Sequence, residues 1–292
     1  MEMNTKTATI GFIGIGVMGK SMARHLLQAG YPLYVHTRTK TKAADLLAEG
    51  AIWAESVADL AACCNVVISI VSFPADVAAV YLGEDGVLAN IAAGSYLIDM
   101  TTSQPELAQQ IYGEARRKNV HALDAPVSGG DVGAREARLS IMVGGDEDAY
   151  GAVLPIFQTL GTNIVYQGGP GSGQHAKMCN QIVIAGSMLG VCEALAYAVH
   201  SGLDPATVLK SIESGAAASW TLANLGPRII NGNFEPGFYV KHFIKDMTIA
   251  TTAAKGMGLD TPGLDLAKSL YERLAAEGGG DYGTQALFKL YQ

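Results

Sequence analysis

The sequence carries little charge, few cysteines and no basic run. Only 16% of its 292 residues are Asp, Glu, Lys or Arg, against 49% hydrophobic. A chain with this balance can bury a sizeable core, and its length suggests about two domains. The net charge of −7 argues against nucleic acid or an anionic membrane surface as partner, because both call for a basic face. The cysteines, Cys63, Cys64, Cys179 and Cys192, form no CxxC and no zinc spacing. They read as small buried hydrophobes of a reducing compartment. No cluster of His, Asp and Glu suggests a metal. Met1 to Thr7 is polar and lacks the apolar core of a signal peptide, so a cytoplasmic protein is expected. Internal repeats and low-complexity tracts are absent. Gln181 to Val199 approaches the length and apolarity of a membrane span. It contains Gly186, Gly190, Ser187 and Glu193 and has no flanking basic clusters, so it reads as a long helix buried on all sides in a soluble protein.

What is present is organised around residues 10–23. An apolar run from Ala8 to Ile13 is short enough for a buried strand; it breaks into Gly14-x-Gly16-x-x-Gly19. The apolar spacing then becomes helical, with Met18, Met22, Leu26 and Leu27 on one face. Strand, glycine turn and helix are the context of a dinucleotide fingerprint. Gly14 permits the tight turn, Gly16 admits a pyrophosphate close to the backbone, and Gly19 lets the helix pack on the strand. The first helical N–H groups, around Val17 and Met18, would face the phosphates. A second strand is predicted over Tyr31 to His36. After it, where Asp or Glu commonly holds an adenine ribose, stands Thr37, followed by Arg38, Thr39 and Lys42. No carboxylate occupies this turn, and a guanidinium forks well onto phosphate oxygens. NADP is therefore expected in preference to NAD, with NAD possible.

Further along, Ser56 caps a helix and Val66 to Val71 is a β-branched run of the kind found in a covered parallel strand. Val71 and Ser72 lie at its carboxyl end, where ligands sit in open α/β sheets. Ala51 to Trp53, Tyr96 to Met100, Val120 to Asp124, Ser140 to Val143 and Asn163 to Tyr166 are the remaining strand candidates, with helices between most of them. Gly168 to Gly173 marks a boundary, beyond which the β signal fades into helical periodicity: about Gln174 to His200, Pro205 to Ser214, Ser219 to Leu225, Phe238 to Lys255 and Leu264 to Glu277. The fold class is thus α/β: a Rossmann-type doubly wound sheet over residues 1–169, then an all-α domain over 170–292, joined by a long interdomain helix.

Three stretches carry chemistry. Asp124-Ala-Pro-Val-Ser128-Gly129-Gly130 ends a strand and offers a hydroxyl and backbone N–H groups to a substrate carboxylate. Read without its neighbours, it is an ordinary turn. Lys177 lies one helical turn from Asn180 and Gln181, at the head of an apolar helix. Burial there favours the neutral amine and suits Lys177 to acid–base work near neutral pH; the alternative is a lysine that reaches solvent. Lys241, His242 and Lys245 could meet an anion, or form a solvated helix start with Asp246.

The glycine fingerprint, DAPVSGG, Gly171-x-Gly173-x-x-x-Lys177-x-x-Asn180 and Lys245-Asp246 occur in order and span almost the whole chain. Together they resemble the β-hydroxyacid dehydrogenase family, which includes 3-hydroxyisobutyrate dehydrogenases, tartronate semialdehyde reductases and glyoxylate/succinic semialdehyde reductases. Gln181 after Asn180, and FEPGF at Phe234 to Phe238 before HFIKD, look most like the tartronate semialdehyde reductases. The resemblance implies an NADP-dependent oxidoreductase that interconverts a small 3-hydroxy acid and its semialdehyde. Lys177 would be the acid/base and Asn180 would help hold substrate. Ser128, Gly129 and Gly130 would bind the carboxylate. Gly14, Gly16, Val17, Met18, Gly19, Thr37, Arg38, Thr39, Lys42, Val71, Ser72, Thr102 and Lys245 would form the cofactor side. It also implies a homodimer or homotetramer with the long helix at the interface. Three departures stand out: Val71-Ser72 where Leu-Pro is common, Gln181 for a second Asn, and bulky Trp220 where substrate size is set. A non-catalytic NADP(H)-binding protein is the rival of a different class, and it would not need Lys177.

Overall fold

The computed structural model describes residues 2–292; Met1, where the first expected domain starts, lies outside them. The chain divides into two compact units, residues 1–177 and 178–292, so the division falls inside a helix, beyond the expected glycine boundary.

The first unit contains strands β1 (Ile10–Ile13), β2 (Leu33–His36), β3 (Ile52–Trp53), β4 (Val66–Ser69), β5 (Tyr96–Asp99), β6 (His121–Asp124), β7 (Val127–Ser128), β8 (Leu139–Gly144) and β9 (Gly161–Gly168). Helices α1 (Val17–Gln28), α2 (Ala44–Ala48), α3 (Val57–Cys63), α4 (Pro74–Leu82), α5 (Val87–Asn90), α6 (Pro105–Arg117), α7 (Gly130–Arg135) and α8 (Glu147–Gln158) connect them. The strand order is β3-β2-β1-β4-β5-β6-β8-β7, with β9 on β8. All pairs from β3 across to β6 are parallel; β8 runs antiparallel to β6 and β7.

Burial on both faces explains why these strands read as continuous apolar runs. In β4, Val66 and Ile68 join one core with Phe12, Ile98, Met22, Leu26 and Phe157. The intervening Val67 joins the opposite core with Leu97, Leu60, Val77 and Tyr81. Fully buried side chains such as Phe12 and Ile68 contribute about 1.5–3 kcal/mol each. The strand order reverses at β1 and β4, which places a ligand crevice at their carboxyl ends.

Helix α9 (Ser172–His200) begins in the first unit and continues into the second. The second unit adds α10 (Pro205–Ile212), α11 (Trp220–Ile230), α12 (Val240–Gly256) and α13 (Pro262–Ala276), then a 3₁₀ segment over Thr284–Tyr291. Its core gathers Met188, Cys192 and Leu195 of α9 with Phe243, Met247, Tyr271 and Leu287. Helix α9 is not buried on all sides, contrary to the expectation from its composition. Val183 and Tyr197 are 67% and 74% exposed on the face turned away from Met188, Cys192 and Leu195, and Val199 is 53% exposed in the last turn.

Candidate functional site

The carboxyl end of β1 turns sharply at Gly14, whose φ is +103°. A Cβ there would fall 2.2 Å from the Ile70 carbonyl oxygen, and one on Gly19 would fall 2.0 Å from that of Gly14. Both glycines are therefore required by the turn and by the seat of α1. Gly16 differs: its φ is −89°, and a Cβ would meet nothing within 4 Å. It opens space rather than relieving strain. No side chain caps the start of α1, and its first turn carries no acidic residue. The unpaired N–H groups around Val17 and Met18, with about half a positive charge from the helix dipole, suit an anion. A dinucleotide pyrophosphate fits this cradle. Val71 and Ser72 follow β4 beside Gly14, and the Val71 N–H donates to Thr101 Oγ1 at 3.0 Å.

After β2, Thr37 is half-buried, whereas Arg38, Thr39 and Lys42 are exposed. Absence of a nearby carboxylate does not hold in three dimensions. The Arg38 guanidinium, 84% exposed, lies 3.7 Å from Asp76 in the first turn of α4. A residue 38 positions away thus supplies the charge that the turn itself lacks.

Thr102 follows β5, in a loop fixed by hydrogen bonds. Gln174, fully buried in the first turn of α9, accepts from the Ser103 N–H at 2.9 Å and donates to the Thr101 carbonyl at 2.7 Å. Asp124, 4% exposed at the end of β6, accepts from the Gly171 and Gln174 N–H groups, each at 2.8 Å. A carboxylate from another strand therefore caps the helix that carries Lys177. Burial raises the Asp124 pKa, and the backbone N–H donors of Gly171 and Gln174 oppose that rise. Its register partner Asp99 is pushed up to about 6, chiefly by burial, against hydrogen bonds from Thr101 and Ser69. The roles of Asp124 and Gln174 escaped the sequence reading. A carboxylate at a strand end 47 residues before Gly171 gives no local capping signal.

Lys177 is buried, at 6% exposure. Ser128 lies on β7 opposite Ser140, and Gly129 and Gly130 take φ of +128° and +64°, conformations that favour glycine. They lead into α7 where an ordinary turn was the alternative.

In the second unit, Asn180, Gln181, Asp246 and Lys245 form one connected group. Asn180 Nδ2 donates to Gln181 Oε1 at 2.7 Å, and Gln181 Nε2 donates to Asp246 Oδ2 at 2.6 Å. The Lys245 ammonium lies 3.0 Å from Asp246 Oδ1. Lys241 is drawn away to Asp281, and His242 is pushed below its usual pKa by burial and then by Lys245 and Lys241, so it is neutral near pH 7. The three candidate cations thus have different surroundings. Trp220 is 65% exposed at the head of α11. Among the described residues, no group of three His, Cys, Asp or Glu side chains could hold a metal.

Residues 9–168 match the NAD binding domain of 6-phosphogluconate dehydrogenase, and residues 171–291 match the NAD-binding domain of NADP-dependent 3-hydroxyisobutyrate dehydrogenase. The chain belongs to the β-hydroxyacid dehydrogenase family. It is 59% identical over 283 residues to an uncharacterized oxidoreductase of Bacillus subtilis, covering 97% of this chain and 98% of that one. It is 37% identical over 278 residues to the 2-hydroxy-3-oxopropionate reductase of Escherichia coli, covering 95% of each. Among solved structures, it superposes with a TM-score of 0.89 on the Mycobacterium tuberculosis 3-hydroxyisobutyrate dehydrogenase studied with L-serine, at 29% identity, covering 98% of this chain and 99% of that one. As a β-hydroxyacid dehydrogenase, the protein is an NAD(P)-dependent oxidoreductase acting on a small hydroxyl-bearing substrate.

Proposed function

We propose that this protein interconverts a small 3-hydroxy acid and its semialdehyde, of the tartronate semialdehyde or 3-hydroxyisobutyrate type, with NADP preferred over NAD. The observation that carries the chemistry is Lys177: a lysine 6% exposed, on a helix whose start is held by Asp124 and Gln174. When bound, the reduced nicotinamide supplies the hydride that becomes the new C–H bond. Lys177 gives a proton from Nζ to the carbonyl oxygen as negative charge develops there, so the N–H bond breaks as the O–H bond forms. In the oxidative direction the neutral amine takes that proton back. A buried donor placed against developing charge lowers the barrier by position and electrostatics together. Ser128 and the N–H groups of Gly129 and Gly130 hold the substrate carboxylate, and Asn180 orients the substrate.

On the cofactor side, Gly14, Gly16, Val17, Met18 and Gly19 hold the pyrophosphate. Arg38, Thr39 and Lys42 take the 2′-phosphate, with Thr37 at the ribose, and Val71, Ser72, Thr102 and Lys245 complete the cofactor contacts. Asp76 beside Arg38 moderates the preference for NADP. Glyoxylate or succinic semialdehyde reduction is the second substrate reading. Exposed apolar side chains on one face of α9, Val183 and Tyr197, support self-association as a homodimer or homotetramer.

The test is oxidation of NADPH, with NADH in parallel, against tartronate semialdehyde, methylmalonate semialdehyde, succinic semialdehyde and glyoxylate. One substrate should dominate with NADPH. Binding of NADPH without turnover of any of these aldehydes would overturn the substrate class.

A further inference from the structure

We propose that Asp246 is a positioning residue that acts through Gln181 to fix which end of the Asn180 carboxamide faces the substrate. The inference rests on the functional reading above, in which Asn180 holds substrate. Its physical basis is the direction of a buried hydrogen-bond chain. Gln181 is 1% exposed and Asp246 is 2% exposed. An ionised carboxylate only accepts hydrogen bonds, so Gln181 must turn its amide nitrogen toward Asp246 Oδ2, as it does at 2.6 Å. The Gln181 oxygen is then left to accept, and it accepts from Asn180 Nδ2 at 2.7 Å. The Asn180 nitrogen is thereby committed to Gln181, and Oδ1 is turned away from it.

A carboxamide by itself has no preferred end. Here the choice is imposed by the charge at the far end of the chain, with the Lys245 ammonium 3.0 Å from the other carboxylate oxygen. Asn180 lies one turn beyond Lys177 on the same helix. With its Oδ1 presented, it accepts from a donor such as a substrate hydroxyl; with its nitrogen presented, it does not. Asp246→Asn removes the constraint, because an amide at 246 can present either end and both amides further along can flip. The group thus behaves as a relay of orientation in which Asp246 need not touch substrate.

The experiment has two readouts. In a double-mutant cycle, Asp246→Asn alone should lower kcat about tenfold while KM for NADPH stays within about twofold; in an Asn180→Ala background the same change should cost less than about twofold, since the partner it acts through is gone. An equal loss in both backgrounds would assign Asp246 a purely structural role and overturn the proposal. The second readout is the side-chain ¹H–¹⁵N signals of Asn180 in the cofactor-free protein, which should shift or split in Asp246→Asn. Unchanged Asn180 signals would overturn the proposal equally. If wild-type protein turns over none of the aldehydes, the functional reading falls, and the side-chain signals still decide the relay. Should Asp246→Asn fail to fold, Gln181→Met, which cuts the chain between its ends, must give the same two results.

Discussion

Two helices of this protein start from glycine turns, and they start in opposite ways. At α1, Gly14-x-Gly16-x-x-Gly19 leaves the first turn without a side-chain cap and with open space over Gly16. At α9, Gly171-x-Gly173 leads into a first turn whose Gly171 and Gln174 N–H groups are taken by the Asp124 carboxylate. A Cβ on Gly173 would fall 2.4 Å from the Met142 carbonyl oxygen and 2.5 Å from that of Asp124. Similar local grammar thus yields an anion cradle at one helix and a sealed, internally compensated start at the other. The difference is a buried carboxylate brought in by a remote strand. An open helix end must wait for a ligand to satisfy its donors, whereas a sealed one can hold a side chain further along, here Lys177, in place.

The largest effect should come from opening the sealed end. Asp124→Ala orphans two buried N–H groups and removes a cap, which should cost about 4 kcal/mol in chemical denaturation. Next is the contrast between glycines. Gly173→Ala should cost about 2–3 kcal/mol, because its Cβ meets backbone that cannot move aside. Gly16→Ala should change stability by less than about 1 kcal/mol, yet weaken NADPH binding at least about tenfold, measured by quenching of protein fluorescence. Equal effects of the two glycines on stability would erase the distinction. The pH-dependent effect concerns Asp99, beside Asp124 on the neighbouring strand. Its folded pKa of about 6 lies above the ordinary 3.8, so the folded state binds this proton more tightly than the unfolded chain does. That contribution to stability is complete below about pH 4 and is lost as pH rises through about 6. Asp99→Asn should therefore gain on wild type by about 2 kcal/mol or less at pH 7.5, and the gain should shrink toward pH 5 in melting curves.

Much of the fold was legible because its signals are local. The runs at β1, β4 and β5 are short, apolar and covered on both faces, and Ser56 caps α3 through the Asp59 N–H at 3.0 Å, as read from the sequence. What escaped depends on contacts distant in sequence. Helix α11 continues past Leu225 through Gly226 and Pro227 to Ile230. A Gly-Pro pair reads as a break, but a Cβ at Gly226 would come 3.2 Å from the Leu209 side chain, so the glycine marks close packing on α10. The short α5 and α7 and the final 3₁₀ segment have too few turns for a periodic signal. In the candidate site, Lys177 was found through its apolar helix, and Gln181 and Asp246 were noticed as neighbours of the motifs. Their connection was not, since 65 residues separate them. Asp76 was missed for the same reason: it reaches Arg38 from helix α4, 38 residues further along.

The most direct test of the account is single-turnover oxidation of NADPH by Lys177→Met, run beside a binding titration of the same variant. A methionine keeps the length and apolar body of the side chain and removes its proton. The account predicts NADPH affinity within about threefold of wild type and a hydride-transfer rate lower by about 10²–10⁴-fold. A rate within tenfold of wild type would contradict it, because the proton would then have to come from another group.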